Sequence, residues 1–191
     1  MDPRNGLLAA LAATLLLGCG PEEIHLELAV ESDLSGIMVA TLIDEMANDA
    51  TCEVDWPGSE SEREVMEALL AEGALSFELG TRLVDVTAVE LPGQRCRTTF
   101  HAKFDSLAAL LVAMAADSPV EIRRTESRLF ASLPGGSGRL GSFTSLSLTY
   151  PGPVIGTNAA EQERADGRFR WTAGDLEARG LELEFVVQEP N

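Results

Sequence analysis

Basic side chains are scarce in this sequence: 14 Lys and Arg stand against 31 Asp and Glu, a formal net charge of −17. A phosphate backbone has to be met by a Lys/Arg surface, so this balance argues against nucleic acid as a partner. Histidine is scarcer still. His25 and His101 are the only two, neither has a spaced partner, and no zinc signature results. No G-x-S-x-G elbow occurs, and no histidine stands beside a free cysteine, which removes the recognisable forms of nucleophilic catalysis. No apolar run reaches the roughly 20 residues of a membrane-spanning helix.

The longest uninterrupted apolar run, Gly6 to Leu17, covers 12 residues and is followed by Gly18-Cys19. Residues 1–18 therefore read as a secretory signal, with Arg4 offset by Asp2 as its weak positive flank. Leu16-Leu17-Gly18-Cys19 looks like a bacterial lipobox, in which the cysteine is acylated and becomes the first mature residue; the bland alternative is the end of an ordinary signal peptide. Two or more acyl chains anchor durably, at about 0.8 kcal/mol per buried methylene. On this reading residues 19–23 form a lipidated tether, and the chain is exported and held on the cell membrane or outer membrane, facing the periplasm or the exterior. Export also favours a disulfide between the remaining pair, Cys52 and Cys96, against two separate buried thiols. Closing that loop is worth about 4 kcal/mol in the chain-entropy model.

The chain, at 45% hydrophobic residues, is rich enough in apolar side chains to fold, and reads as one domain over residues 24–191. Glu23 to Glu31 alternates, with Ile24, Leu26, Leu28 and Val30 on one face, and Ile37 to Ile43 returns beside it after the turn residues Ser32 to Gly36. Ser61 and Glu64 have capping-box spacing ahead of Val65, Met66, Leu69 and Leu70, which predicts a helix stopping near Gly73. Strand-like runs follow at 76–79, 82–91 and 97–105. A second helix starts at Asp105 or Ser106, places Leu107, Leu110, Leu111 and Met114 on one stripe, and ends at Ser118-Pro119. From Val120 onward the pattern is all strand, at 120–124, 127–133, 143–150, 168–172 and 180–187. The expected fold is α+β: a twisted antiparallel β-sheet of about eight or nine strands packed by two α-helices.

Two motifs fail in context. Gly136-Ser137-Gly138-Arg139-Leu140-Gly141 matches the dinucleotide fingerprint, but a strand-like alternation follows where the chemistry needs a helix N-terminus, so a flexible hairpin tip is the better reading. Asp44, Glu45, Asp49, Glu53 and Asp55 crowd one segment without the order of a calcium loop, and read as a solvated acidic stretch. No metal and no cofactor is expected, and the chain reads as non-enzymatic.

Charge is unevenly spread. Residues 20–94 carry 18 acids and 2 bases, residues 95–139 carry 4 acids and 7 bases, and residues 140–191 carry 8 acids and 4 bases. The middle block is a basic island holding Arg95, Arg97, Lys103, Arg123, Arg124, Arg128 and Arg139. Arginine forks suit phosphate or carboxylate, which makes Arg95, Arg97, Arg123, Arg124 and Arg128 candidate ligand-binding residues; the plain alternative is pairing with acids on neighbouring strands.

Two stretches resemble the LppM-type lipoprotein domain. One runs from Cys19 through Ile24-His25-Leu26-Glu27-Leu28-Ala29-Val30 to Ser35-Gly36-Ile37-Met38-Val39. The other is Leu148-Thr149-Tyr150-Pro151-Gly152-Pro153-Val154, followed by Arg170-Trp171 and Asp175-Leu176. The resemblance implies an envelope role without catalysis, with lipid or glycolipid as the suggested ligand. Some relatives carry a C-terminal membrane helix, which Val187 to Asn191 does not supply, so the expected membrane contact is the N-terminal lipid. Two functions are weighed: an anchored ectodomain that binds a lipid or glycolipid, and a structural or assembly lipoprotein that docks on an envelope protein. The first predicts an apolar cavity of about 300 Å³ or more between sheet and helices. A solid core of Phe77, Phe100, Phe104 and Leu110 would count against it.

Overall fold

The alternation of Glu23–Val30 buries Ile24, Leu26, Leu28 and Val30 and turns His25, Glu27 and Ala29 outward, and this strand organises the molecule. The structure is a computed structural model that describes residues 22–47, 50–54, 64, 67–68, 70–71, 76–77, 81–115, 119–136, 142–163 and 167–187. The leader, Cys19 and Ser137 to Gly141 lie outside the described residues. So do Asp49, Asp55 and most of the helix expected from Ser61, of which Glu64, Glu67, Ala68, Leu70 and Ala71 are helical.

Strand β1 (Glu23–Val30) pairs antiparallel with β2 (Gly36–Glu45), which pairs with β5 (Arg95–Phe104); β4 (Thr81–Leu91) and β3 (Ser76–Phe77) continue the sheet on that side. On its other side β1 runs parallel to β8 (Ser145–Thr149), followed by β11 (Arg168–Thr172) and β10 (Glu161–Glu163). The order is β10-β11-β8-β1-β2-β5-β4-β3. A second sheet has the order β6 (Glu121–Arg124), β7 (Arg128–Leu133), β12 (Leu181–Val186), β9 (Val154–Thr157). The α+β class is as expected; the strands are more numerous and divide between two sheets. β7 and β8, the strands on either side of the glycine-rich segment, fall on different sheets.

The β1–β2 turn shows how local chemistry sets up the core. The Asp33 carboxylate accepts from the Ser35 amide at 3.0 Å and from its hydroxyl at 2.7 Å, and those bonds hold its pKa below the usual carboxylate range. Leu34 takes a left-handed φ of 71° there, tolerated because its side chain is buried and its carbonyl accepts from the Leu107 amide at 2.8 Å. That bond starts helix α1 (Leu107–Ala115), whose second cap is Ser106 Oγ accepting from the Ala109 amide at 3.3 Å. Leu107, Leu110, Leu111 and Met114 are buried, as the stripe predicts.

The inner face of the large sheet, α1 and the inner face of the small sheet share one core. Trp171 and Tyr150 are its largest fully buried side chains, and each spends its polar tip on backbone or amide. Trp171 Nε1 donates to Asn158 Oδ1 at 2.7 Å, and that same oxygen accepts from the Glu182 amide at 2.9 Å. Tyr150 Oη donates to the Val186 carbonyl at 2.7 Å while its ring lies 4.5 Å from that of Phe185. Helix α2 (Ala173–Ala178) has a full capping box between Thr172 and Asp175, and the Thr172 hydroxyl, with Arg179 adding to it, lowers the Asp175 pKa. At the β5 end of the sheet, Leu83 and Ala102 form a second cluster beneath Val54 and Leu70. Cys52 and Cys96 are bonded there, with Cα atoms 5.3 Å apart.

Candidate functional site

The outer face of the large sheet carries the other half of each alternation. Across β11, β8, β1 and β2 it is laid out in three cross-strand rows: Arg168, Thr149, Ala29 and Ile37; Arg170, Ser147, Glu27 and Val39; and Thr172, Ser145, His25 and Thr41. The first two rows, with His25 and Ser145 of the third, line a trough of about 570 Å³. That volume lies within the range of about 300 to 1,000 Å³ typical of small-molecule sites. The chemistry changes strand by strand, from guanidinium on β11 through hydroxyl on β8 and imidazole and carboxylate on β1 to aliphatic on β2. β10 sets Glu163 and Glu161 in register with Arg168 and Arg170.

His25 is fixed in the floor by two hydrogen bonds, one between its Nδ1 and Ser145 Oγ at 2.8 Å and one between its Nε2 and Glu23 Oε2 at 3.0 Å. These are the distances of a serine–histidine–carboxylate relay, so catalysis has to be weighed. Ser145 is only 6% exposed, and β8 is bonded on both sides, to β1 and to β11. Its amides therefore serve the ladders and not an oxyanion site. The two bonds hold the imidazole in place between β8 and the start of β1.

The arginines singled out by sequence are divided between the two sheets. Arg95 and Arg97 lie at the start of β5, in register with Glu45 and Ile43. Arg123 and Arg124 lie on β6 and Arg128 on β7. Arg123 pairs with Glu121 at 2.9 Å and stacks 4.6 Å from the Phe130 ring, and Arg128 reaches Glu184 at 3.3 Å. Such exposed pairs contribute about 0 to 1 kcal/mol each. The trough takes its guanidiniums from Arg168 and Arg170, which the sequence reading did not select. Their signal was present as Arg-Phe-Arg-Trp and Ser-Leu-Ser-Leu-Thr, two alternations placing like groups on one face. Their meeting with His25 and Glu27 depends on the parallel β1–β8 pair, whose members are 120 residues apart.

The trough is not the apolar cavity expected between sheet and helices. Phe104 and Leu110 are 1% and 4% exposed in the core, Phe100 packs against it, and the side chain of Phe77 lies outside the described residues. The trough lies on the opposite face. Among the described residues no helix is long and apolar enough to cross a membrane.

Fold and trough define the class: a two-sheet α+β domain with an open, chemically graded trough on one sheet face. No family model matches the chain, and no curated protein matches its sequence. Among solved structures, the NMR structure of the folded domain of LppM from Mycobacterium tuberculosis is similar over 88% of this chain and 90% of that one, at 14% identity and a TM-score of 0.44. That likeness is one of outline, and no residue role is carried across.

Proposed function

We propose that this chain is a membrane-anchored bacterial envelope lipoprotein without catalytic activity, whose exported domain binds a lipid or glycolipid. The observation that carries the ligand-binding half is the trough: a surface of about 570 Å³ in which arginine, hydroxyl, imidazole, carboxylate and aliphatic side chains converge. The anchored half rests on the apolar leader and the lipobox at Cys19, and the Cys52–Cys96 bond suits an oxidising compartment. A structural or assembly role is the second reading, favoured by Ile37 and Val89, 42% and 45% exposed on the same outer face.

The test is intact-mass analysis of detergent-extracted native protein beside a Cys19→Ala variant, followed by organic extraction. A mass starting at Cys19 with added acyl chains, absent from the variant, together with a stoichiometric amphiphile released by solvent, is the expected result. An acylated chain with no bound amphiphile would favour assembly, and an unmodified, freely soluble chain would overturn the anchored reading.

A further inference from the structure

We infer that a second copy of this chain docks on the free edge of the small sheet, antiparallel to β6, so that two four-stranded sheets join across a two-fold axis. This surface is separate from the trough and does not depend on the ligand-binding reading. Among the described residues β6 is bonded on one side only, to β7. Just beyond β6 the Thr125 amide donates to the Arg128 carbonyl at 2.8 Å, in line with the β6–β7 register. Backbone groups point alternately left and right along a strand. Glu121 and Arg123 therefore spend theirs on β7, and Ile122 and Arg124 present theirs at the edge.

An open edge is a template for pairing, and its side chains decide with what. A two-fold axis normal to the sheet requires one residue to lie opposite itself. With Ile122 on the axis, its outward amide and carbonyl meet those of its own copy, while Glu121 comes opposite Arg123 of the copy and Arg123 opposite Glu121. Centring on Arg123 or Arg124 would oppose arginine to arginine. Glu121 and Arg123 share one face, pair at 2.9 Å and stay mostly exposed, with Arg123 stacked 4.6 Å from the Phe130 ring, so docking completes a square of alternating charge. On the other face Ile122, half-buried at the margin of the core, meets its own copy and extends the apolar seam. The remaining edges do not fit themselves. β10 centred on Gln162 sets Glu161 opposite Glu163, β9 is bulged at Ile155 just after Pro153, and β3 has two residues. A ladder as short as β6 makes a concentration-dependent dimer and not an obligate one.

The experiment is native mass spectrometry of the full chain, as the cell processes it, released from polyoxyethylene-ether micelles. Protein is raised to about 0.1 mM, at which a dimer with a Kd of about 10 μM is mostly formed. A homodimer growing with concentration is expected. Glu121→Arg and Arg123→Glu each set like charges opposite one another and should each weaken association about tenfold or more. Carrying both exchanges on one chain should restore it. Mixing the two single variants should give heterodimers, told from either homodimer by mass, because each then supplies the charge that the other lacks. Amide exchange should slow at Ile122 and Arg124 as the dimer forms, and not at Glu121 or Arg123.

A chain that stays monomeric throughout would overturn the assignment. So would a dimer indifferent to the exchanges, which would place the contact on another surface, or a different protein bound at this edge in place of the second copy. Single variants that fold poorly would each fail to dimerise when mixed as well as alone, so recovery in the mixture and in the double exchange separates lost pairing from lost structure.

Discussion

The two faces of the large sheet are built from the same strands and do opposite things. On the inner face Leu26, Leu28, Leu146, Leu148, Phe169 and Trp171 are all buried in one core. On the outer face their immediate neighbours, Glu27, Ser147 and Arg170, remain open to solvent around a trough. A one-residue slip of register would exchange the two sets, so burial of the inner face is also what holds the outer rows in line. The outer rows are thus positioned by residues packed on the opposite face.

Substitution on either face can break this contrast, and the largest effect is expected at Trp171. Trp171→Ala removes a fully buried ring and leaves Asn158 Oδ1 without its indole donor, and should lower unfolding free energy by about 3 to 5 kcal/mol in urea. Arg170→Gln, one residue away on the other face, should change it by less than about 0.5 kcal/mol. A cost above about 2 kcal/mol at Arg170 would show that the faces are not independent.

At the far end of the inner face, Cys96 stands in line with Phe100 and Ala102. Replacing Cys52 and Cys96 by serine should cost about 2 to 4 kcal/mol, measured against the parent under oxidising conditions. Gly180→Ala tests the junction of α2 with β12. At φ +70° the new methyl would run into the Leu133 carbonyl, for a loss of about 1 to 3 kcal/mol.

The smallest effect concerns an acid on the inner face. Burial, with help from Glu22, raises the Asp44 pKa. The folded state therefore binds that proton more tightly than the unfolded one, and stability falls as pH rises from the unfolded pKa through the folded one. Asp44→Asn should raise the urea midpoint at neutral pH and flatten its dependence on pH across that interval. Asp175 has the opposite sign, because its lowered pKa makes its contribution disappear as pH falls.

Much of the inner face was legible from sequence. Period-two alternation located β1, β2, β4, β5, β7, β11 and β12 to within one or two residues, because each buries one face only. Three elements were missed. β9 is four residues between Pro153 and Asn158, β10 is three, and α2 is six with Gly174 inside it, all too short for a period to show. The Thr172–Asp175 cap was the one readable sign of α2. Charge blocks along the chain picked out a basic island, but strands close in sequence went to different sheets. Arginines that meet the trough came from the acidic C-terminal third. Proximity across strands is a property of topology, and residue counts by segment do not contain it.

The parallel pairing of β1 with β8 also governs when the domain can form. The Ile24 amide donates to Thr144 Oγ1, and the Thr144 amide returns a bond to the Ile24 carbonyl, across 120 residues of chain. During synthesis β1 must therefore wait for the 120 residues that separate it from β8 before its second edge is covered. Contacts this distant slow folding and leave Leu26 and Leu28 open in the interval. A chain stalled short of Ser145 would carry an uncapped strand edge beside exposed leucines, making it a substrate for chaperones and proteases and not a smaller working domain.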